Sequence, residues 1–206
     1  MKVSAICLGL PEKLSGKSYK TGINKVPVSG AVLVDENGLV GDSICNRKYH
    51  GGPDQAVYVE GGLTLDWWAS ELGQVLAPGL FGENLVIDGL DNRNVGAGDQ
   101  FQLSGGVLLE ATSARIPCNT FSARMGDAKF AKRYTAAARP GIYCRVLVCG
   151  AMSAGEDVVF TPFAGEKVPV PEMMRLFGKQ LAPQDRKRYL AAPIHTKLRA
   201  ELQANI

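Results

Sequence analysis

A mainly β, α+β fold is predicted by three features of the chain. Short runs of β-branched and aromatic residues bounded by turn-forming residues recur from Val3 to about Val170, two segments of helical period interrupt them, and after Pro169 the pattern turns helical. Together they predict a β-rich unit over residues 1–168 and a small three-helix extension over 169–206.

The strands are read in order from KVSAICLGL, VSGAVLVDENGLVG, QAVYVEG, ENLVIDGL, DQFQLSGGVLLEATS, IYCRVLVCG and EDVVFTPF. Ser104-Gly105-Gly106 marks a hairpin, because adjacent glycines supply the positive φ that tight turns need. Asn37-Gly38 fits either a similar turn or a looser loop. TLDWWASELG predicts a helix capped by Thr64, with Leu65, Trp68 and Leu72 on one face and Gly73 as its stop. DAKFAKRYTAAARPG predicts another, capped by Asp127 and broken at Arg139-Pro140-Gly141. In the tail, Val170, Met174, Phe177 and Leu181 form one stripe, and Ile194, Leu198 and Leu202 repeat the spacing. Such stripes predict packing onto the β core or self-association into a homo-oligomer.

With 206 residues, 46% apolar and 21% charged, the chain suits one sizeable soluble domain and excludes long disordered segments. A net charge of +3 with one short basic run, Arg186 to Arg188, argues against a nucleic-acid partner. No apolar run approaches the roughly 20 residues of a membrane span. The N-terminus reads as a first strand rather than a signal peptide, which gives a cytoplasmic expectation. The five cysteines include no C-x-x-C pair, so reduced thiols are expected rather than a disulfide framework or a zinc site.

Three stretches carry the polar chemistry. In KYHGGPDQAV (Lys48 to Val57), Gly51 and Gly52 let the backbone approach a ligand, Lys48 adds a point charge, and His50 can position a ligand or transfer a proton. That combination suits a phosphate-bearing ligand, though the same residues also make an ordinary turn with a hydrogen-bonded histidine. In EATSARIPCNTF, Pro117 holds Ile116 extended and presents Cys118 at a strand end, where Arg115 favours the thiolate. The alternative is a cysteine acting as a small buried hydrophobe. In LFGENLVIDGL, Asn84 offers donors and acceptors to a ligand or to a turn. Cys7, Cys144 and Cys149 read as packing residues; Cys45 lies near His50, but the pair is short of ligands for a metal.

Taken in sequence, GLVGD, KYHGGPDQAV, FGENLVIDGL, Gly98-Asp99, ARIPC and RPGIYCRVLVCG resemble the successive motifs of the MOSC domain family, over about residues 20 to 165. The helical tail is similar to that of the family's YiiM-type bacterial members. The resemblance implies a β-barrel-like core that binds the molybdenum cofactor, a molybdopterin carrying a phosphate, with Cys118 as metal ligand. By the same comparison Lys48, His50, Gly51, Gly52, Asn84 and Arg115 surround the cofactor, and Cys118 and His50 are catalytic. The implied activity is reduction of N-hydroxylated compounds of the hydroxylaminopurine type, a detoxification. No flavin, iron–sulfur or nicotinamide motif is visible, so a separate electron-donor protein, a flavin or iron–sulfur reductase, is the expected partner beside the small-molecule substrate. A carrier of the cofactor, or of cysteine-bound sulfur, is the alternative. Three positions depart from the pattern: Val59-Glu60-Gly61-Gly62 replaces an aromatic Tyr-Pro-Arg type run, Thr120 stands where lysine is common, and Lys20 where arginine is.

Overall fold

The computed structural model describes residues 1–204; the last two positions of the predicted extension lie outside the described residues. The first half runs β1 (Lys2–Gly9), β2 (Glu12–Lys13), β3 (Lys20–Thr21), β4 (Lys25–Pro27), β5 (Val32–Asp35), β6 (Gly38–Leu39), β7 (Val57–Gly61), α1 (Gly62–Leu72) and β8 (Leu85–Asp88). The second half runs β9 (Gln100–Leu103), β10 (Leu108–Ala114), α2 (Asn119–Arg124), α3 (Phe130–Ala137), β11 (Ile142–Val148), β12 (Gly150–Met152) and β13 (Val158–Thr161), then α4 (Val170–Leu176), α5 (Pro183–Ala191) and α6 (Thr196–Ala204).

Eight strands form one mixed sheet in the order β13-β9-β10-β11-β7-β8-β1-β4. The sheet curls until its two ends approach: Val3 N–H donates to Glu156 O and Val158 N–H to Met1 O, both at 2.9 Å. β7 and β8 are the parallel pair, which requires a crossover, and α1 supplies it. In β1 the register slips between Val3 and Ala5, and the bulge puts Val3 and Ile6 into the main core while Ala5 and Cys7 join Val86 in a small cluster.

α1, α2 and α3 meet through aromatic rings. Trp68 stacks on Tyr134 at 5.6 Å between centroids, and Phe121 meets Phe130 edge-on at 5.0 Å. The tail belongs to the same core: Val170, Met173, Met174, Tyr189, Ile194 and Leu202 are buried with the sheet's residues.

Several local expectations are corrected. Thr64 does not cap α1, whose cap is Gly61; its hydroxyl instead accepts from Asn92 N–H at 3.0 Å inside the protein. The Asn37-Gly38 hairpin forms, but its turn residues are Glu36 and Asn37, because Val34 pairs with Leu39 and Asp35 with Gly38. Phe177 leaves the tail's stripe, since α4 ends at Leu176 and Phe177 takes extended backbone, leaving its side chain exposed. Cys149 is exposed rather than packed, although Cys7 and Cys144 are buried as expected. The two-residue β2 and β3, along with β4 and α2, carry no pattern long enough to be read from sequence.

Gly141 shows how tightly the sheet's centre is filled. A Cβ there would sit 2.1 Å from Cε2 of Tyr58 and 2.6 Å from Oε1 of Glu60. Gly141→Ala is expected to destabilise the fold by about 1–3 kcal/mol, the usual cost of overpacking, as measured by urea denaturation. An unchanged midpoint would show that the ring and carboxyl move aside freely.

Candidate functional site

A cleft of about 320 Å³ opens where four segments converge: the chain from Tyr19 to Lys25, the loop from Asp42 to Gly51, the Phe81–Asn84 connection into β8, and the end of β10. β10 brings Arg115 to it, with Arg115 N–H bonded to Gly141 O at 2.8 Å as the last rung of the ladder. Pro117 then ends the strand direction and Cys118 becomes the extended N-cap residue of α2, with φ −133° and ψ 172°.

The thiol of Cys118 is half-buried, and burial raises its pKa. A hydrogen bond from His50, the charge of Arg115 and the N–H groups of Phe121 and Thr120 outweigh that effect and bring it down to about 6. The group is therefore mainly thiolate at neutral pH. In the protein free of ligand, the thiolate absorbance near 240 nm is expected to titrate with a midpoint close to pH 6, the thiol form prevailing below it, and His50→Gln should move the midpoint upward. A wild-type midpoint near that of an ordinary cysteine would contradict this geometry.

Arg115 is 5% exposed and forms no ion pair with a carboxylate among the described residues. Its guanidinium carbon lies 3.8 Å from the centroid of Phe121 and 5.8 Å from that of Tyr58, and its Nη1 is buried without a partner. An unpartnered cationic donor beside a cleft calls for an anionic ligand, because leaving it unsatisfied carries the full desolvation cost. Glu60 does not supply that charge. Burial pushes its carboxyl up to about 8, so it is mostly neutral at pH 7. It is held instead by Tyr58 Oη–H at 2.6 Å and Asn92 Nδ2–H at 2.5 Å.

The H-G-G turn sits opposite. Gly51 has φ 79°, and a Cβ on it would come within 2.8 Å of Ile44 Cδ1, so both backbone and space require glycine. Gln55 Oε1 accepts from Gly51 N–H at 3.1 Å and fixes the turn, while the His50 side chain reaches Cys118.

His50, Gly51, Asn84, Arg115 and Cys118 are thus brought together, whereas Lys48 and Gly52 are not in this wall. The Lys48 ammonium lies 5.3 Å over the ring of its neighbour Tyr49, and Gly52 borders a different cavity. Asn84 is committed to the wall itself: its Oδ1 accepts from Tyr58 N–H at 3.2 Å and its Nδ2 donates to Asp42 Oδ2 at 2.9 Å. Cys45 lines the cleft with His50, but among the described residues no group of three or more metal-ligating side chains forms.

Sequence reasoning missed two further components. Lys25 and Asp42 form a buried ion pair in the cleft wall, with Gly9 N–H also donating to Asp42 at 2.8 Å. Asp42 lies inside the GLVGD run, so its signal was present; Lys25, on a three-residue strand, had none. The cations lining the cleft are Lys20, Lys25 and Arg115. Across the rim, the hydroxyls of Tyr19 and Thr120 are 2.9 Å apart, so one of the departures noted in the sequence forms a contact between the Tyr19 segment and α2.

Comparison with known proteins gives the chain's family and the likeness of its fold. A model of the MOSC domain matches residues 46–159. The uncharacterized protein YflK of Bacillus subtilis is 34% identical over 158 residues, covering 76% of this chain and 71% of that protein. Protein YiiM of Escherichia coli is 31% identical over 137 residues, 65% of this chain and 61% of its own length. A protein named reductase from Gibberella moniliformis is 30% identical over 146 residues, 69% of this chain but 26% of its own, so the chain spans about a quarter of it. The crystal structure of YiiM from Geobacillus stearothermophilus superposes with a TM-score of 0.79 at 21% identity, over 98% of this chain and 97% of that one, a likeness of fold.

Proposed function

From the premise that this chain belongs to the MOSC domain family, we propose that it is a molybdenum-cofactor-dependent reductase of N-hydroxylated compounds. The observation that supports this best is the pairing, in one cleft, of a thiolate at Cys118 with a buried guanidinium at Arg115 whose Nη1 has no partner. A soft anionic sulfur suits a molybdenum ion, and an unsatisfied cationic donor suits a phosphorylated pterin. The donor set therefore fits the cofactor. Cys118 would hold the metal, Arg115 and Lys20 would face the phosphate, and the Gly51 backbone would border the pterin. When bound, the cofactor would supply the two-electron reduction that cleaves an N–O bond and releases water.

The chain's own residues then have separable tasks. Phe121 and Tyr58 fix the Arg115 guanidinium by stacking, so its charge is placed without a competing carboxylate. His50 holds the Cys118 thiolate and is positioned in turn by the Gly51–Gln55 bond. The name of the fungal relative, reductase, is in line with this chemistry. Electrons come from a separate donor protein.

The test is anaerobic purification from cells with ample cofactor, metal analysis, and a reduced-dye assay on a hydroxylaminopurine. Molybdenum bound at about one per chain together with turnover supports the proposal. Cofactor handed to an apo-enzyme without turnover would make the chain a carrier, and no bound molybdenum would remove both readings.

A further inference from the structure

The Gly51-Gly52 turn also borders a second cavity, of about 240 Å³, which shares only Ile44 and Gly51 with the main cleft. Its wall joins the loop before β7 to the start of α6. The one carboxylate in that wall, Asp54, is already satisfied: it accepts from Thr196 N–H at 2.7 Å and Thr196 Oγ1–H at 2.6 Å, and it pairs with Arg145 at 2.7 Å. Arg47 and Lys197 face the same cavity with no side-chain partner among the described residues. His195 is 9% exposed, and its Nδ1 accepts from Lys197 N–H at 3.0 Å, which puts the ring proton of the neutral imidazole on Nε2 as a donor. Two cations without a side-chain partner among the described residues and the His195 imidazole therefore border a space whose one carboxylate is held by Thr196, shares Arg145 with Glu110, and lies 3.6 Å from His195 Nδ1.

We propose that this cavity is a second anion site, taking a phosphate group between Arg47 and Lys197 with His195 Nε2–H as a neutral donor. At roughly 30 Å³ per water molecule the space holds several waters, and so a phosphate with part of the molecule esterified to it. The site is independent of the cofactor reading, because none of its charged residues lines the main cleft. It is joined to that cleft through Gly51, whose neighbour His50 holds Cys118.

The experiment is an NMR titration of the 15N-labelled full chain with inorganic phosphate, AMP and adenosine. Saturable shifts of the Gly52, Asp54 and Lys197 amides are expected with phosphate and AMP and not with adenosine. Tighter binding of AMP than of phosphate assigns a phosphate ester as the ligand, and equal binding assigns the free anion. Arg47→Ala/Lys197→Ala, both exposed and so without effect on melting, should weaken binding roughly tenfold or more, the loss expected for charge-assisted hydrogen bonds. Shifts confined to Lys20, Gly22, Gly82 and Arg115, or undiminished binding by the double variant, would overturn the proposal.

Discussion

Cys118→Ala is expected to lose both bound molybdenum and turnover of N-hydroxylated substrate while keeping its fold. The side chain is small and half-buried, so its truncation removes little packing, and melting should stay close to wild type. The chemical loss is different in kind. Disrupting an outer-shell partner of a metal ligand typically costs 10- to 100-fold in affinity or activity, so deleting the ligand itself should exceed roughly 100-fold. Cys118→Ser should behave like alanine, because a hydroxyl in the place of a thiolate that titrates near 6 stays protonated at neutral pH. His50→Gln, which removes one of the bonds lowering that pKa, should fall within the smaller outer-shell range. Full molybdenum content with full turnover in Cys118→Ala would place the chemistry elsewhere in the protein.

Why Cys118 was legible from sequence, and Lys25 was not, follows from what each residue's neighbours impose. Pro117 restricts the backbone before the cysteine, so a presented thiol follows from local covalent geometry. The H-G-G turn is likewise local, since Gly51's positive φ and its contact with Ile44 both lie within a few residues. The long strands were legible because β-type residues recur between turn signals, and α6 because Leu198 and Leu202 keep helical spacing, whereas the stripe read through α4 breaks at Phe177. Lys48 misled for the complementary reason: it lies two residues from His50, yet the side chain points along Tyr49 instead of into the cleft, a choice that no pattern encodes. Glu60 was visible as a departure, but its neutral state depends on burial beneath Tyr134 and Asn92, from two distant parts of the chain, as well as its strand neighbour Tyr58. The Lys25–Asp42 pair is of the same kind, joining β4 to the loop after β6.

That pair carries the largest stability effect expected here. Lys25 and Asp42 are each only 7% exposed, and burial lowers the Lys25 pKa against the opposing pull of Asp42. Lys25→Met would leave the Asp42 carboxylate buried without its counter-charge, helped among the described residues by Gly9 N–H and Asn84 Nδ2–H. Breaking a buried pair from one side costs about 3–5 kcal/mol, so urea denaturation should show a loss of that order. Lys25→Met/Asp42→Asn should recover more than half of it, because the amide oxygen still accepts a hydrogen bond and no charge is left stranded. A single variant within about 0.5 kcal/mol of wild type, the usual range of surface substitutions, would mean that solvent already screens the pair. The double variant also separates stability from function. If neutral residues serve the fold nearly as well, the charge pair has a use beyond stability, and the anionic cofactor proposed for the cleft that Lys20, Lys25 and Arg115 line would supply one. A well-folded Lys25→Met/Asp42→Asn protein should accordingly load less molybdenum cofactor than wild type, and equal loading would assign the pair to structure alone.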